Sequence, residues 1–364
     1  MKILHIHPSL KGGGIESMIC GLANAMSKKE NISVCSIFIA KDDDVFWNKL
    51  STQVNKKSLG KSKQGFSLVV LYKILRFLWE EKFDVVNMHG FFYYYILAVL
   101  FLHKKVKFFY TVHSDALMEN SKWDKRFFFL KKLFFKFGWI YPITISSVSK
   151  ESFTSLYGTK SKLIYNGVSN PQIVMEDRLA MVRKSVNTKL FIHAGRISTE
   201  KNQVVLCKVF KRLIDKGYDV VLVIAGSCQN TEIFKSIEPY FCDRIIYLGE
   251  RDDIPQLMFN CDAMCLPSIW EGLPITLLES LSVGCIPICS PVGGIPNVVS
   301  DGLNGILSRS SNEEDYYIAI EKFLGMSPKT ISEMKLTCSE SFGRYNIINT
   351  ADNYLGYYNH ILHS

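Results

Sequence analysis

Short apolar runs alternate with amphipathic stretches of helical length along nearly the whole chain. Such runs, bounded by turn residues, are typical of buried strands, and the stretches between them have the period of helices. Since strand and helix take turns, the sequence predicts an α/β fold with parallel sheets, whose ligands bind beyond the carboxyl ends of the strands. The predicted strands cover residues 3–7, 33–40, 85–89, 107–113, 143–148, 190–194, 220–226, 245–248, 263–267 and 286–290.

The predicted strands form two series, which indicates two domains. At 364 residues, the chain is longer than the roughly 100–200 residues typical of one domain. Residues 163–171 separate the two series and contain the turn residues of a hinge. We therefore predict a first domain over residues 1–168 and a second over residues 169–344.

Charge is divided unequally between the two halves. Residues 1–170 hold 25 Lys/Arg and 12 Asp/Glu, a net charge of +13, whereas residues 171–364 hold 18 and 22, a net charge of −4. This asymmetry predicts that the first half alone meets an anionic surface or substrate, either nucleic acid or a membrane with acidic head groups.

Residues 122–137 interleave basic and aromatic side chains, most of them Phe. This pattern favours docking on a membrane surface, with an ordinary core and solvated rim as the alternative. Nucleic acid is disfavoured as a partner because no helix-turn-helix, zinc-finger or RNA-binding signature accompanies the segment. Residues 91–102 are apolar but fall short of the roughly 20 residues that cross a bilayer. We expect them to form a buried helix or, failing that, an interfacial one.

The beginning of the chain and its cysteines bear on the cellular compartment. Residues 1–7 carry an apolar stretch too short for a signal peptide. The ten cysteines have no regular framework and fit reduced, buried thiols. We therefore expect a cytoplasmic protein, either free or peripheral on the inner face of the cytoplasmic membrane. The pairs Cys261/Cys265 and Cys285/Cys289 have apolar neighbours that favour packing over a zinc site.

Two turns that open helices carry the clearest chemistry. Arg196 and Lys201 lie five residues apart around a strand-to-helix turn, where both can reach one diphosphate and stabilise it as a leaving group. Further along, the turn 272–274 opens an apolar helix whose free N–H groups and dipole suit a phosphorylated or hydroxyl-rich ligand. Glu271 precedes this helix and Glu279 lies on it, so the two carboxylates more readily hold two parts of one ligand than face each other.

Six segments of the chain, in the same order, resemble those of the retaining family-4 glycosyltransferases. These enzymes use nucleotide sugars and have two facing Rossmann-like domains, known as the GT-B fold. The segments are 11–16, 111–114, 165–168, Gly195-Arg196 with Lys201-Asn202, 267–274 continued to Glu279, and 293–296. The resemblance covers nearly the whole chain. It implies an acceptor-binding first domain, a donor-binding second domain, and a final helix over residues 345–364 that crosses back to the first domain.

The resemblance also implies roles for individual residues. Arg196 and Lys201 are implied to bind the diphosphate, Glu279 the ribose and Glu271 the transferred sugar. His113 is implied to contact that sugar beside the acceptor, and His89 is a second candidate for the acceptor site. The implied catalytic residues are Glu271, His113, Arg196 and Lys201. The implied donor-binding residues are Gly13, Gly14, Gly195, Arg196, Lys201, Arg251, Glu271, Gly272, Leu273, Pro274, Ile275, Thr276, Leu277 and Glu279.

The activity implied by the resemblance is transfer, with retention, of a hexose or N-acetylhexosamine from a nucleoside-diphosphate sugar, UDP-sugars being favoured. The basic, aromatic first half of the chain favours, as a hypothesis, a glycan or lipid-linked saccharide of bacterial surface polysaccharide synthesis as the acceptor. No metal or cofactor is required, because two cations and a helix N-terminus can stabilise the leaving group. The alternatives are a GT-B epimerase or phosphorylase, or a non-catalytic nucleotide-sugar-binding partner.

Three positions of the chain bear on other ligands that the sequence could suggest. Ser17 stands where a dinucleotide fingerprint requires a third glycine, which argues against NAD. The run 42–44 of three aspartates is interpreted as a solvated loop rather than a metal site. Asn297 stands where many relatives carry an acid, so a charge-based role there is not expected.

Overall fold

The computed structural model describes residues 1–41, 44–63, 65–90, 92–117, 125–228 and 231–364. The chain divides into two compact units, Met1–Ser169 together with Asn346–Ser364, and Asn170–Tyr345. Each unit is built on one parallel sheet flanked by helices. The predicted α/β class with two parallel sheets is therefore confirmed.

The sheet of the first unit has the strand order β3-β2-β1-β4-β5-β6-β7, and each neighbouring pair is parallel. The central strands β1, β4 and β5 are almost entirely buried, as their apolar sequences require. Because the order reverses between β1 and β4, the carboxyl ends of these strands form a switch point, where parallel sheets bind ligands. The strands are β1 (Lys2–His7), β2 (Asn31–Phe38), β3 (Asn55–Lys61), β4 (Val85–Met88), β5 (Lys107–Val112), β6 (Ile140–Thr144) and β7 (Lys162–Leu163).

The sheet of the second unit has the order β10-β9-β8-β11-β12-β13, again with parallel pairing. The strand β9 (Val220–Ala225) is buried at every position, which fits a strand covered on both faces. Here the order reverses between β8 and β11. The strands are β8 (Lys189–Ala194), β9 (Val220–Ala225), β10 (Ile245–Tyr247), β11 (Ala263–Leu266), β12 (Ile286–Cys289) and β13 (Ile306–Leu307).

The helices pack on both units as the alternation predicts. In chain order, the described α-helices are α1 (Gly14–Met26), α2 (Val45–Asn48), α3 (Leu68–Glu81), α4 (Ile96–Leu102), α5 (Phe128–Lys136), α6 (Ser147–Tyr157), α7 (Gln203–Asp215), α8 (Thr231–Ile237), α9 (Ile254–Phe259), α10 (Ile275–Ser282), α11 (Glu313–Leu324), α12 (Pro328–Phe342) and α13 (Ile347–Leu362). Short 3₁₀ turns cover Phe92–Tyr94, Ala180–Val182, Thr199–Lys201, Glu238–Tyr240, Ile295–Asn297 and Gly343–Tyr345.

The last helix, α13, belongs to the first unit and is held there by a buried polar network. Asn87 Nδ2 donates to the hydroxyl of Tyr358 at 2.9 Å, and Thr111 Oγ1 donates to Asn87 Oδ1 at 3.0 Å. Tyr354 lies within 3.4 Å of the same Thr111 hydroxyl. These bonds tie α13 to β4 and β5, so the end of the chain completes the first unit.

The strand prediction fails where the local signals are polar or short. The strand predicted over residues 143–148 is wrong, because β6 ends at Thr144 and α6 begins at Ser147. A capping box between Ser146 and Ser149 stops the strand and starts the helix. The predictions missed β3, a polar edge strand, and the two-residue strands β7 and β13.

The basic and aromatic segment is divided between core and surface. Lys131 is 2% exposed, and its Nζ lies over the ring of Tyr110 at 4.2 Å. Phe134 and Phe135 are also buried, whereas Phe129 and Phe137 are exposed. Residues 122–124 of the segment, residue 91, and residues 42–43 of the aspartate run lie outside the described residues. Within the described part of the chain, no helix combines the length and the apolar character that a membrane span needs.

Candidate active site

The switch point of the second sheet brings together two of the predicted segments. β8 ends at Ala194 and is followed by Gly195 and Arg196, while β11 ends at Leu266 and leads into residues 267–274. Since β8 and β11 are paired, both loops leave the same edge of the sheet at neighbouring positions. This is the part of a parallel α/β sheet where ligands bind.

Lys201 and Glu271 form an ion pair at this edge. Lys201 Nζ donates to Glu271 Oε1 at 2.6 Å, and the hydroxyl of Ser268 donates to the same oxygen at 2.6 Å. Glu271 is only 9% exposed. A carboxylate so nearly buried needs such charged and polar partners, because an unpaired buried charge is costly. The pair joins a residue predicted to hold phosphate to one predicted to hold a sugar.

Backbone and amide hydrogen bonds fix the turn that carries Lys201 against the loop that carries Glu271. Asn202 has a left-handed backbone, with φ of 57°, and its Nδ2 donates to the carbonyls of Pro267 at 3.1 Å and Ser311 at 2.9 Å. The amide of Ile269 donates to the carbonyl of Glu200 at 2.8 Å. These hydrogen bonds hold the two loops that carry the ion pair against each other.

A buried amide holds the Gly195-Arg196 turn from behind. Gln203 Nε2 donates to the carbonyl of Arg196 at 2.9 Å and to Nε2 of His193 at 3.0 Å. The Nδ1–H of His193 donates to the carbonyl of Cys265 at 2.9 Å, which leaves Nε2 as the acceptor. Burial lowers the pKa of His193 to about 4, so the ring is neutral at pH 7. Sequence reasoning missed Gln203, since a glutamine at the start of a helix carries no motif.

Two glycines allow backbone segments to approach this site closely. Gly293 has φ of 57°, and a Cβ added there would lie 1.9 Å from the carbonyl oxygen of Glu271. The amide of Gly294 donates to the carbonyl of Gly272 at 2.6 Å. Gly226 packs in the same way, since an added Cβ would lie 1.9 Å from the carbonyl oxygen of Gly195. Only glycine fits such positions, so segment 293–296 supports Glu271 directly.

The helix α10 begins beside Glu271 with its first turn open. Pro274 occupies the N-cap position, and no side chain caps the helix. Thr276 Oγ1 is buried and has no hydrogen-bond partner among the described residues. Glu279 lies half-buried one turn further along α10. The N–H groups and the positive end of the dipole are thus available to an anion.

The two predicted arginines are placed differently. Arg196 is exposed and makes no ion pair with a carboxylate in the described part of the chain. Arg251 binds Asp253 through two hydrogen bonds of 2.9 and 2.7 Å, and this partner raises the pKa of Arg251. Among the described residues, no hydrogen bond or ion pair joins Arg251 to Lys201 or Glu271. The structure therefore assembles Arg196, Lys201, Glu271 and α10 at one edge, with Arg251 on a separate turn.

The first unit contains the predicted glycines and histidines. Gly13 has φ of 140° and precedes α1, which starts at Gly14 without a capping side chain. A Cβ added to Gly13 would lie 2.6 Å from Oε2 of Glu16. L side chains rarely adopt such a φ, so the loop depends on glycine at this position, and it leaves the start of α1 open.

His5, His89 and His113 form a hydrogen-bonded row across β1, β4 and β5. His5 Nδ1 lies 3.1 Å from His89 Nε2, and His89 Nδ1 lies 2.8 Å from His113 Nε2. All three rings are buried, with His113 the most accessible at 8%. Burial lowers the pKa of His5 to about 4, that of His113 to about 3, and that of His89 well below its usual value. The row is therefore neutral at pH 7 and links the predicted His89 and His113 to a third histidine.

Comparison with known proteins identifies the class. The family described as Glycosyl transferases group 1 matches residues 177–335, and Glycosyltransferase Family 4 matches residues 12–170. The chain belongs to this family of glycosyltransferases, as the sequence motifs indicated, and it is a transferase.

Individual relatives and solved structures support this assignment. The chain is 23% identical over 356 residues to an uncharacterized 41.2 kDa protein in the cps region of Klebsiella pneumoniae, covering 93% of this chain and 94% of that protein. It is 26% identical over 311 residues to the Escherichia coli UDP-Gal:alpha-D-GlcNAc-diphosphoundecaprenol alpha-1,3-galactosyltransferase, covering 79% and 77%. The fold is similar to that of Anabaena Alr3699/HepE in complex with UDP-glucose, with a TM-score of 0.79, 18% identity and coverage of 97% and 98%. This likeness confirms the GT-B fold.

Proposed function

We propose that the chain is a retaining, metal-independent glycosyltransferase that moves a hexose or N-acetylhexosamine from a UDP-sugar to a lipid-linked saccharide in bacterial surface polysaccharide synthesis. The observation that carries this proposal is the Lys201–Glu271 pair of 2.6 Å beside the open start of α10. The galactosyltransferase relative acts on a diphosphoundecaprenol-linked sugar, as its name states, which supports the choice of donor and acceptor.

The ion pair has a direct use in donor binding. Without ligand, the Lys201 ammonium neutralises the Glu271 carboxylate. Both groups then already lie close to the positions from which they would bind the donor. When a donor binds, its diphosphate takes over the Lys201 ammonium, and hydroxyls of the sugar donate to Glu271. Glu279, on α10, holds the ribose hydroxyls. The exchange leaves every charged group with a partner, which a partly buried site requires.

The same groups favour departure of the nucleoside diphosphate. Negative charge develops on phosphate oxygen as the glycosidic bond breaks, and Arg196, Lys201 and the N–H groups of α10 meet it there. The sugar gains oxocarbenium character, and the acceptor hydroxyl attacks on the face that the leaving group vacates. A phosphate oxygen takes the proton of that hydroxyl. Glu271 therefore orients the sugar rather than acting as a nucleophile.

A donor screen with a product analysis tests this proposal. The full chain is screened by thermal shift against UDP-, GDP- and ADP-sugars, where a donor at 100 times its Kd raises the unfolding free energy by about 2.7 kcal/mol. The stabilising donor is then offered to a diphosphoundecaprenol-linked N-acetylglucosamine with and without EDTA, and the anomeric configuration of the product is read by NMR. We expect a UDP-sugar, retention and no loss with EDTA. Inversion, or loss of activity in EDTA that added metal restores, would contradict the mechanism.

An enzyme that acts on a lipid-linked acceptor needs a surface that binds the membrane. We propose that α3 forms part of this surface. Leu68, Tyr72, Arg76 and Trp79 are all exposed and follow one another at helical spacing along α3. Trp79 is 60% exposed, and the Nζ of Lys105 lies 4.9 Å from its ring. Exposed aromatic and aliphatic side chains among cations are typical of interfacial binding to acidic lipids.

The neighbouring helix α4, which packs on α3, extends this surface. Phe101 is 67% exposed, and Lys104 and Lys105 follow α4 at the surface. We assign the surface of α3 and α4, defined by Leu68, Tyr72, Trp79, Phe101 and Lys105, to an anionic membrane. Lys131, inside the segment that first pointed to a membrane, is excluded from this role by its burial.

Liposome flotation tests the membrane surface. With vesicles rich in anionic lipid, the double variant Lys104→Glu with Lys105→Glu is expected to lose most of the binding, because each cation near such a surface contributes about 1 kcal/mol. Lys329→Glu, at an exposed position of α12, is the control and should float like the unmodified chain. Equal flotation of all three proteins, or flotation of none, would contradict the assignment.

A further inference from the structure

Gly226 packs directly against the turn that carries Arg196. It follows β9, the strand next to β8, and a Cβ added to it would lie 1.9 Å from the carbonyl oxygen of Gly195 and 3.2 Å from the amide nitrogen of Arg196. At these distances no side chain fits between the two backbones. The position of the Gly195-Arg196 turn therefore depends on where Gly226 lies.

Two backbone hydrogen bonds fasten the turn to the residues that flank Gly226. The amide of Gly195 donates to the carbonyl of Ala225 at 2.9 Å. The amide of Ile197 donates to the carbonyl of Ser227, also at 2.9 Å. Because these bonds lie on either side of the turn, a movement of Gly226 carries the turn with it.

The end of β10 and the residues that follow it bind both polar groups of Gly226. The amide of Gly226 donates to the carbonyl of Gly249 at 2.7 Å, and its carbonyl accepts from the hydroxyl of Tyr247 at 2.8 Å. Burial raises the pKa of Tyr247, so its hydroxyl keeps at neutral pH the proton that it donates. The rings of Phe234 and Phe241 lie 5.2 and 5.7 Å from the Tyr247 ring and hold it in place.

We propose that Tyr247 is a positioning residue for the donor diphosphate, because its hydroxyl holds Gly226 against the Gly195-Arg196 turn. This inference rests on the proposed function, in which Arg196 binds that diphosphate. The one hydroxyl proton of Tyr247 is donated to Gly226, so its effect on the donor passes through the turn. Gln203 supports the same turn from α7, whereas Tyr247 supports it from β10. The turn is thus fixed from two directions.

Hydrogen-exchange mass spectrometry of the full chain without ligand tests the hold of Tyr247 on the turn. Tyr247→Phe removes the hydroxyl but keeps the ring and its packing. In the peptide that contains Gly195 and Ile197, we expect the amides to exchange roughly three- to tenfold faster, as the loss of one hydrogen bond implies. Tyr218→Phe is the control, because the Tyr218 hydroxyl donates to Glu321 at 3.0 Å and Tyr218 precedes β9. It should leave these amides unchanged. Unchanged exchange in Tyr247→Phe would overturn the inference.

Calorimetric titration with UDP tests whether this hold matters for the donor. We expect Tyr247→Phe to raise the Kd for UDP roughly three- to tenfold, and Tyr218→Phe to leave it unchanged. In an Arg196→Met background, Tyr247→Phe should raise the Kd less than about twofold, because a positioning residue has little effect once the residue that it positions is gone. Fully additive losses in the double variant would overturn the inference. In turnover, Tyr247→Phe should raise the KM for the donor more than it lowers kcat, because a bound diphosphate itself keeps Arg196 in place.

The outcomes distinguish this inference from the proposed function. If the unmodified chain transfers sugar from a UDP-sugar and Tyr247→Phe binds UDP as tightly as the unmodified chain, the positioning role is rejected and the proposed function stands. If the unmodified chain binds no nucleotide, the proposed function is rejected. Since the exchange measurement needs no ligand, faster exchange in Tyr247→Phe would then still support the hold of Tyr247 on the turn.

Discussion

Nζ of Lys201 and Oε1 of Glu271 lie 2.6 Å apart, although 70 positions separate the two residues in the chain. Parallel pairing of β8 with β11 brings their loops to one edge, and the bonds of Asn202 and Ile269 hold the loops together. The fold thus brings the two charges together. A donor diphosphate that binds at this edge meets the Lys201 ammonium already paired with the Glu271 carboxylate.

Replacement of Glu271 by Gln tests the sugar-holding role. The amide keeps the shape of the side chain but loses the negative charge that accepts from sugar hydroxyls and from Lys201. We expect kcat to fall by roughly 10²-fold and the unfolding free energy to fall by about 1–3 kcal/mol, measured by steady-state kinetics and urea unfolding. Glu340→Gln, at an exposed position of α12, is the control. Turnover of E271Q near that of the control would rule out the role of Glu271.

Gly293→Ala should move the loop of Glu271. The added Cβ would lie 1.9 Å from the Glu271 carbonyl oxygen in a backbone with φ of 57°. Gly302→Ala is a matched control, since Gly302 also has a positive φ, of 78°, but has no atom within 4 Å of an added Cβ. Both variants share the backbone strain. Because of the close contact, Gly293→Ala should lose about 1–3 kcal/mol more of its unfolding free energy than Gly302→Ala. Only Gly293→Ala should raise the KM for the donor. Equal losses of stability in urea would contradict the packing of Gly293 on Glu271.

Gln203→Leu should weaken donor binding through the Gly195-Arg196 turn. The change removes the donor to the Arg196 carbonyl and to His193, at a cost of about 1–3 kcal/mol in unfolding free energy. Gln256→Leu is the matched control, because Gln256 is buried in the same unit and donates to the carbonyls of Val174 and Glu176. Both variants should unfold earlier in urea, but only Gln203→Leu should raise the KM for the donor. A raised KM in both would mean that general destabilisation is the cause.

Acid should destabilise the protein through its buried histidines. His5 and His193 have pKa values of about 4 in the folded chain, against 6.5 for an unperturbed ring. The unfolded chain therefore binds more protons between these values, so the unfolding free energy is highest above pH 6.5 and falls as the pH approaches 4. Each such histidine contributes on the order of 3 kcal/mol to that loss.

The pH range from 6.5 to 4.5 isolates this effect. Asp219 and Asp253, whose pKa values are lowered by Arg244 and Arg251, lose their contributions below pH 3.8. The urea midpoint should fall as the pH is lowered across this range. In His5→Asn, the unfolding free energy should depend less steeply on pH, by the equivalent of one fewer proton taken up on unfolding. A midpoint that is independent of pH between 6.5 and 4.5 would contradict the burial of neutral histidines.

The sequence predicted those parts of the fold and site that depend on local patterns. The apolar runs of β1, β4, β5, β8, β9 and β11 located the inner strands of the sheets. A strand that is buried on both faces is apolar along its whole length, so its own sequence identifies it. Edge strands such as Asn55–Lys61 are polar and lack this signal. At residues 143–148, the predicted strand was continued past Ser146, whose capping side chain starts a helix.

The supports of the site could not be predicted, because they are contacts between distant residues. The sequence marked Lys201, Glu271 and the glycines of 293–296 as separate motifs, but the packing of Gly293 on the Glu271 carbonyl appears only in the folded chain. Gln203 and His5 carry no motif, and their importance lies in which atoms their side chains reach.

Calorimetric titration with UDP tests most directly the claim that the edge of β8 and β11 binds the donor. Lys201→Met removes the ammonium but keeps much of the apolar side chain, and Lys329→Met makes the same change at an exposed position of α12. If this claim is correct, the unmodified chain and Lys329→Met bind UDP equally, whereas Lys201→Met binds at least about tenfold more weakly, as expected for loss of a charge-assisted contact. Equal affinity of all three proteins for UDP would contradict it.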